Sequence, residues 1–127
     1  MRVLCFIGVQ CFCMLIIFGL SSLKGSDIQI SVELWSGTDK LVHACIYFAY
    51  GFLTSLTLVG TKEKQTYLKW LATALVVLVG CCDEFYQLHV PGRDGSIYDV
   101  VADVFGGALA IWIAHPRFCI MVQKKKN

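Results

Sequence analysis

The run from Cys82 to Gly107, CDEFYQLHVPGRDGSIYDVVADVFGG, lies between two strongly apolar stretches, yet it carries five acids, an arginine and a histidine. Its centre, Val90-Pro91-Gly92-Arg93, has the composition of a type II turn, because proline fixes φ and glycine supplies a positive φ. Such a turn returns the segment after it to the side of the segment before it. The acids on the two arms, Asp83 and Glu84 before and Asp99 and Asp103 after, are thereby kept together.

Outward from this turn the chain is apolar. A spanning helix needs about 20 residues to cross about 30 Å of hydrocarbon, and residues 3–20, 41–60, 68–88 and 97–114 are each close to that length. With 57% apolar residues, 16% charged and a mean hydropathy of +0.66, the composition lies outside the soluble range. Helices apolar most of the way round leave no segment for a water-soluble domain. The expectation is an all-α integral membrane bundle of four transmembrane helices with short loops, one domain over residues 1–127, without repeats or low-complexity tracts. The first stretch also admits a cleaved signal peptide, since Arg2 precedes it and Gly19, Ser21 and Ser22 follow its apolar run.

Orientation follows from the basic residues. With the amino terminus inside, the inner face carries Arg2, Lys62, Lys64, Lys69, Arg117, Lys124, Lys125 and Lys126 and one acid, Glu63. The outer side then holds Lys24, Lys40 and Arg93 and the other eight acids. The expected location is a bacterial inner membrane, multi-pass, with both termini cytoplasmic. On this background the basic tail reads as a topology signal on an anionic leaflet, and no nucleic-acid partner is expected.

Residues three or four apart share a helix face. Asp39, His43 and Tyr47 step by four at the start of the second span, with Tyr50 and Gly51 continuing that face. At the end of the third, Asp83 or Glu84 aligns with Gln87. At the start of the fourth, Ser96, Asp99, Asp103, Gly106 and Gly107 form another stripe. All three stripes fall on the outer side, whereas the inner halves offer no matching one. Each ionisable group at membrane depth costs at least about 2.5 to 3.5 kcal/mol on insertion scales, so such groups face a bundle interior or a wet cavity and find partners. Asp103, about 10 Å along the helix from Ser96, is the deepest. Arg93 is the long-armed partner expected for Asp99, Asp103 or Glu84.

The segments DKLVHACIY, DEFYQ, VPGR, SIYD and ADVFGG, in this order and spacing, resemble the VanZ-like membrane protein family. The resemblance covers residues 39–107. It departs from the family pattern at Asp103, where members often carry asparagine, and so adds a second acid four residues after Asp99. It implies a small bacterial multi-helix membrane protein. The founding member is associated with low-level resistance to the glycopeptide teicoplanin, a phenotype rather than a chemistry.

Three functional classes fit these residues. In one, the pocket binds an anionic membrane lipid or lipid-linked cell-wall precursor through Lys40, Gln87, Arg93, Ser96, Asp99 and Asp103. In the second, it acts on such a lipid, with His43 as general acid or base, Asp39 or Glu84 as its orienter, and Arg93 with Lys40 as an anion clamp. In the third, Asp99 and Asp103 are a cation or proton site of a small transporter. Ser96 is at once a candidate nucleophile and a candidate N-cap. The plainer reading makes His43 and the arginine–carboxylate network structural glue, Gly106 and Gly107 points of close helix approach, and the tryptophans interface anchors. The seven cysteines show no zinc spacing and read as small apolar residues, so no metal ligands and no cofactor are nominated.

Overall fold

The computed structural model describes residues 2–23, 37–58 and 64–124, and the side chains of residues 4–23, 37–58 and 64–114. Lys24, Lys62, Trp35 and the tail from 125 lie outside these, as do the side chains of Arg2, Arg117 and Lys124. Four helices follow one another: α1 Arg2–Ser21, α2 Thr38–Leu58, α3 Gln65–Gln87 and α4 Ile97–Lys124. No strand occurs among the described residues.

The outer surface of the bundle is apolar. Leu4, Leu15, Leu41, Phe85, Val101 and Phe105 are all exposed. A surface built of core residues is unfavourable in water and is what lipid demands. The helices α1, α2 and α4 are long and apolar enough to cross a membrane. The 23-residue α3 carries Lys69, Asp83 and Glu84 and is the most polar of the four. The fourth helix continues ten residues beyond the expected end of its span. Polarity sets where a span ends, but a helix ends where its backbone hydrogen bonds do, and the apolar residues after Pro116 continue them.

The turn has the expected form. Gly92 has φ 77° and Arg93 donates its backbone N–H to the Val90 carbonyl at 3.1 Å. Ser96 caps α4, its hydroxyl accepting the Tyr98 N–H at 3.2 Å.

Packing runs alternately up and down, so α2 and α4 are parallel and start at the same end, where α1 and α3 finish. The two parallel helices touch along their backbones. A Cβ on Gly106 would collide with the Ala44 carbonyl, and one on Gly51 with the Gly107 carbonyl. On the other side of α4, a Cβ on Gly107 would lie 2.6 Å from Val76 of α3. Close approach is thus the role of these glycines. At the far end Trp70 and Trp112 meet edge to face at 5.1 Å, with the Lys69 ammonium 5.1 Å from the Trp112 ring centre.

Candidate functional site: a buried carboxylate–histidine cluster

Where α2 and α4 start and α1 and α3 end, the polar stripes converge. His43, just over one turn into α2, faces Asp103, nearly two turns into α4, and their Nδ1 and Oδ1 are 3.0 Å apart. The same ring nitrogen lies 3.7 Å from Glu84 Oε1 on α3. His43 therefore meets acids from two helices, and Asp103 is fully buried. The carboxylate nearest the ring is Asp103, not the Asp39 or Glu84 that spacing nominated as orienter.

Glu84 is held at both oxygens. Oε2 accepts the Ser96 backbone N–H at 2.8 Å and Oε1 accepts the Gln87 amide at 3.0 Å. This carboxylate straps the end of α3 to the start of α4. The Gln87 amide nitrogen also faces Asp83 Oδ2 at 3.3 Å and the Ser21 hydroxyl of α1 at 3.4 Å. Two protons therefore serve three acceptors.

Above this layer Lys40 donates to Asp99 at 3.1 Å, its side chain 42% exposed while that of Asp99 is 6% exposed. Asp39 is exposed at the mouth. Arg93 does not make the expected pairing. Its Nε donates to the Leu23 carbonyl at the end of α1, 3.2 Å away, and it forms no ion pair with a described acid. Lys40 takes the place beside Asp99 because α2 packs backbone to backbone on α4, which brings its first turn within reach. Arg93 sits on the turn and extends across to α1.

His43, Glu84, Gln87, Asp99 and Asp103 are thus brought together, with Ser96 beside them through its backbone. Asp39 and Arg93 stand at the rim. The Ser96 hydroxyl is engaged as a helix cap rather than presented as a nucleophile.

Several members were not among the nominated site residues. Asp83, expected near the others but given no role, is as buried as Glu84. The end of α3 is flanked by α1 on one side and α4 on the other, so its inward sector is wide enough for neighbours 100° apart. Ser21 and Gln10 had no signal beyond being polar in an apolar run. Deeper in the bundle the Tyr50 hydroxyl donates to Gln10 at 2.6 Å, and the Gln10 amide donates to Thr54 at 3.1 Å. No matching stripe was expected in the inner halves; Gln10, Thr54 and Ser55 are nonetheless buried there.

Three buried side-chain atoms have no hydrogen-bond partner among the described residues: Asp83 Oδ1, Asp103 Oδ2 and the Tyr47 hydroxyl. His43, Asp83, Glu84 and Asp103 each offer one ligand atom within 4.8 Å of the others, which is a spacing that can hold a metal ion. Asp39, His43 and Asp99 form a second, more open group of this kind.

The family model described as VanZ/LLP1 matches residues 6–121, nearly the whole chain. No curated protein and no solved structure matches the chain. The chain belongs to the VanZ/LLP1 family.

Proposed function

From that membership and the geometry above, we propose that the protein crosses a bacterial cell membrane several times, with both termini cytoplasmic. Its polar end then faces outward and receives the anionic headgroup of an envelope lipid or lipid-linked cell-wall precursor. The supporting observation is the vertical order of charge. The two cations of the cluster, Lys40 and Arg93, stand partly exposed at the rim, above buried acids. A headgroup phosphate arriving from the outer leaflet meets them first. The planar guanidinium grips phosphate through paired hydrogen bonds that an ammonium does not reproduce. Holding such a lipid is also the route by which the protein would contribute to glycopeptide (teicoplanin) resistance.

The 3.0 Å contact between His43 and Asp103 favours a second reading. A carboxylate on Nδ1 fixes the ring and leaves Nε2 for proton transfer to or from a lipid held at the rim, which is the geometry of a general acid or base.

Mass spectrometry of lipids from cells expressing each form, and of lipids that copurify with the protein, tests both readings. Binding predicts enrichment of an anionic lipid on wild type, its loss in Arg93→Lys, and its retention in His43→Ala. Catalysis predicts an envelope lipid whose abundance changes with wild type and not with His43→Ala. Copurifying lipids with the bulk membrane composition would exclude the headgroup reading.

A further inference from the structure

We propose that His43, Asp83, Glu84 and Asp103 form a binding site for one divalent transition-metal cation of the Mn2+, Fe2+ or Zn2+ class. The four residues come from three helices, so the ion would tie α2, α3 and α4 together. The inference stands apart from the headgroup reading, because the ion needs no lipid to bind.

Geometry comes first. Metal–nitrogen and metal–oxygen bonds of about 2.0–2.2 Å place opposed ligand atoms up to about 4.4 Å apart. The four ligand atoms here lie within 4.8 Å of one another, so adjustments of a few tenths of an ångström complete a coordination shell.

Charge comes second. Asp83, Glu84 and Asp103 are 2%, 5% and 0% exposed, and among the described residues His43 is the only basic group that forms an ion pair with any of them. The neighbouring Lys40 is engaged by Asp99. A buried acid needs a compensating partner, and here three acids share one imidazole. A divalent cation supplies the missing positive charge at a single point.

The orphaned atoms point the same way. Asp83 and Asp103 each keep one oxygen without a hydrogen-bond donor among the described residues, and such buried atoms call for an explanation. The Tyr47 hydroxyl is independent of the acidic residues. It is buried one turn below His43, without a hydrogen-bond partner among the described residues, and within electrostatic reach of Asp83, Asp103 and Glu84. Its ring and Asp103 Oδ2 both stand over Gly80, at 3.7 and 3.3 Å from where a Cβ would be. A phenol so placed is suited to donate to a ligand carboxylate or to a water on the ion.

The other donors suit an outer shell. Gln87 binds one oxygen of Asp83 and one of Glu84, and the Ser96 N–H binds the second oxygen of Glu84. Such contacts orient carboxylates toward an ion. One imidazole with carboxylates favours Mn2+, Fe2+ or Zn2+ over Mg2+ and Ca2+, which prefer oxygen alone.

The test uses the full chain in detergent without added lipid, stripped with chelator and dialysed. Titration calorimetry and thermal unfolding are then followed with Mn2+, Zn2+, Mg2+ and Ca2+. The expected result is about one equivalent of Mn2+ or Zn2+ bound, with an unfolding temperature that rises with metal concentration and falls with chelator. Asp83→Asn and Asp103→Asn should each weaken binding at least about tenfold, whereas Asp39→Asn should leave it unchanged. Should an acid variant fail to fold, Tyr47→Phe removes only the orphaned hydroxyl and should still lower affinity about tenfold. Absence of stoichiometric binding and of any thermal shift in wild type overturns the proposal. So does binding that survives Asp83→Asn and Asp103→Asn but not Asp39→Asn, which places the ion at the mouth.

Discussion

Asp103 Oδ1 lies 3.0 Å from His43 Nδ1, and neither side chain sets that distance alone. About one turn beyond Asp103, Gly106 rests on the carbonyl of Ala44, the residue after His43. Backbone contact between α2 and α4 fixes the spacing, and the imidazole and carboxylate meet across it.

Gly106→Ala is therefore expected to harm the site without touching it. The added methyl must push α4 off α2, an overpacking cost of about 1–3 kcal/mol. Thermal unfolding in detergent should show that loss. An unchanged melting temperature would mean that the helices are not in backbone contact.

Lys40 and Asp99 should behave as a coupled pair. Lys40→Gln removes the partner of a buried carboxylate and should lower the melting temperature. Adding Asp99→Asn should restore much of it, whereas pairing Asp99→Asn with Arg93→Gln should show no coupling. A double-mutant cycle for each pair reads this directly. Coupling of Asp99 with Arg93 and not with Lys40 would contradict the arrangement at the rim.

Gln10 should matter more than its place in an apolar run suggests. Gln10→Leu strands the Tyr50 hydroxyl, a loss of about 1–3 kcal/mol. Tyr50→Phe in the same chain should recover part of it. Additive losses in the double variant would show that the two side chains do not interact.

Glu84→Gln tests the strap between α3 and α4. One carboxylate oxygen accepts from Gln87 and the other from Ser96 N–H, but an amide replaces one acceptor with a donor. Opposing a donor to a donor should destabilise the start of α4 by about 1–3 kcal/mol. Faster amide hydrogen exchange at Ser96 and the first turn of α4 is the expected signature.

Much of this was legible beforehand, for physical reasons. Apolar length exposed the helices, Pro91 and Gly92 gave the turn, and i, i+4 spacing put Asp39, His43 and Tyr47 on one stripe. Spacing tells which residues share a face but not how two helices rotate against each other. Hence Asp39 or Glu84 was matched to His43 while Asp103 stands nearest it, and Arg93 was given the role that Lys40 plays. Asp83 and Glu84 stood as alternatives because each aligns with Gln87 by spacing, while α3 has neighbours on both sides and buries both. Gln10 was unreadable because an isolated amide in α1 declares no partner until α2 is laid against it.

The glycine seam has a last consequence, for movement. Helices in backbone contact cannot slide or tilt against each other without a clash, so α2 and α4 form one stiff body carrying His43, Lys40, Asp99 and Asp103. α1 is bound more lightly, and a Cβ on its Gly8 or Gly19 would meet nothing within 4 Å. Freedom to move is therefore expected first of α1 and the end of α3, which the Ser21–Gln87 and Leu23–Arg93 contacts tie together.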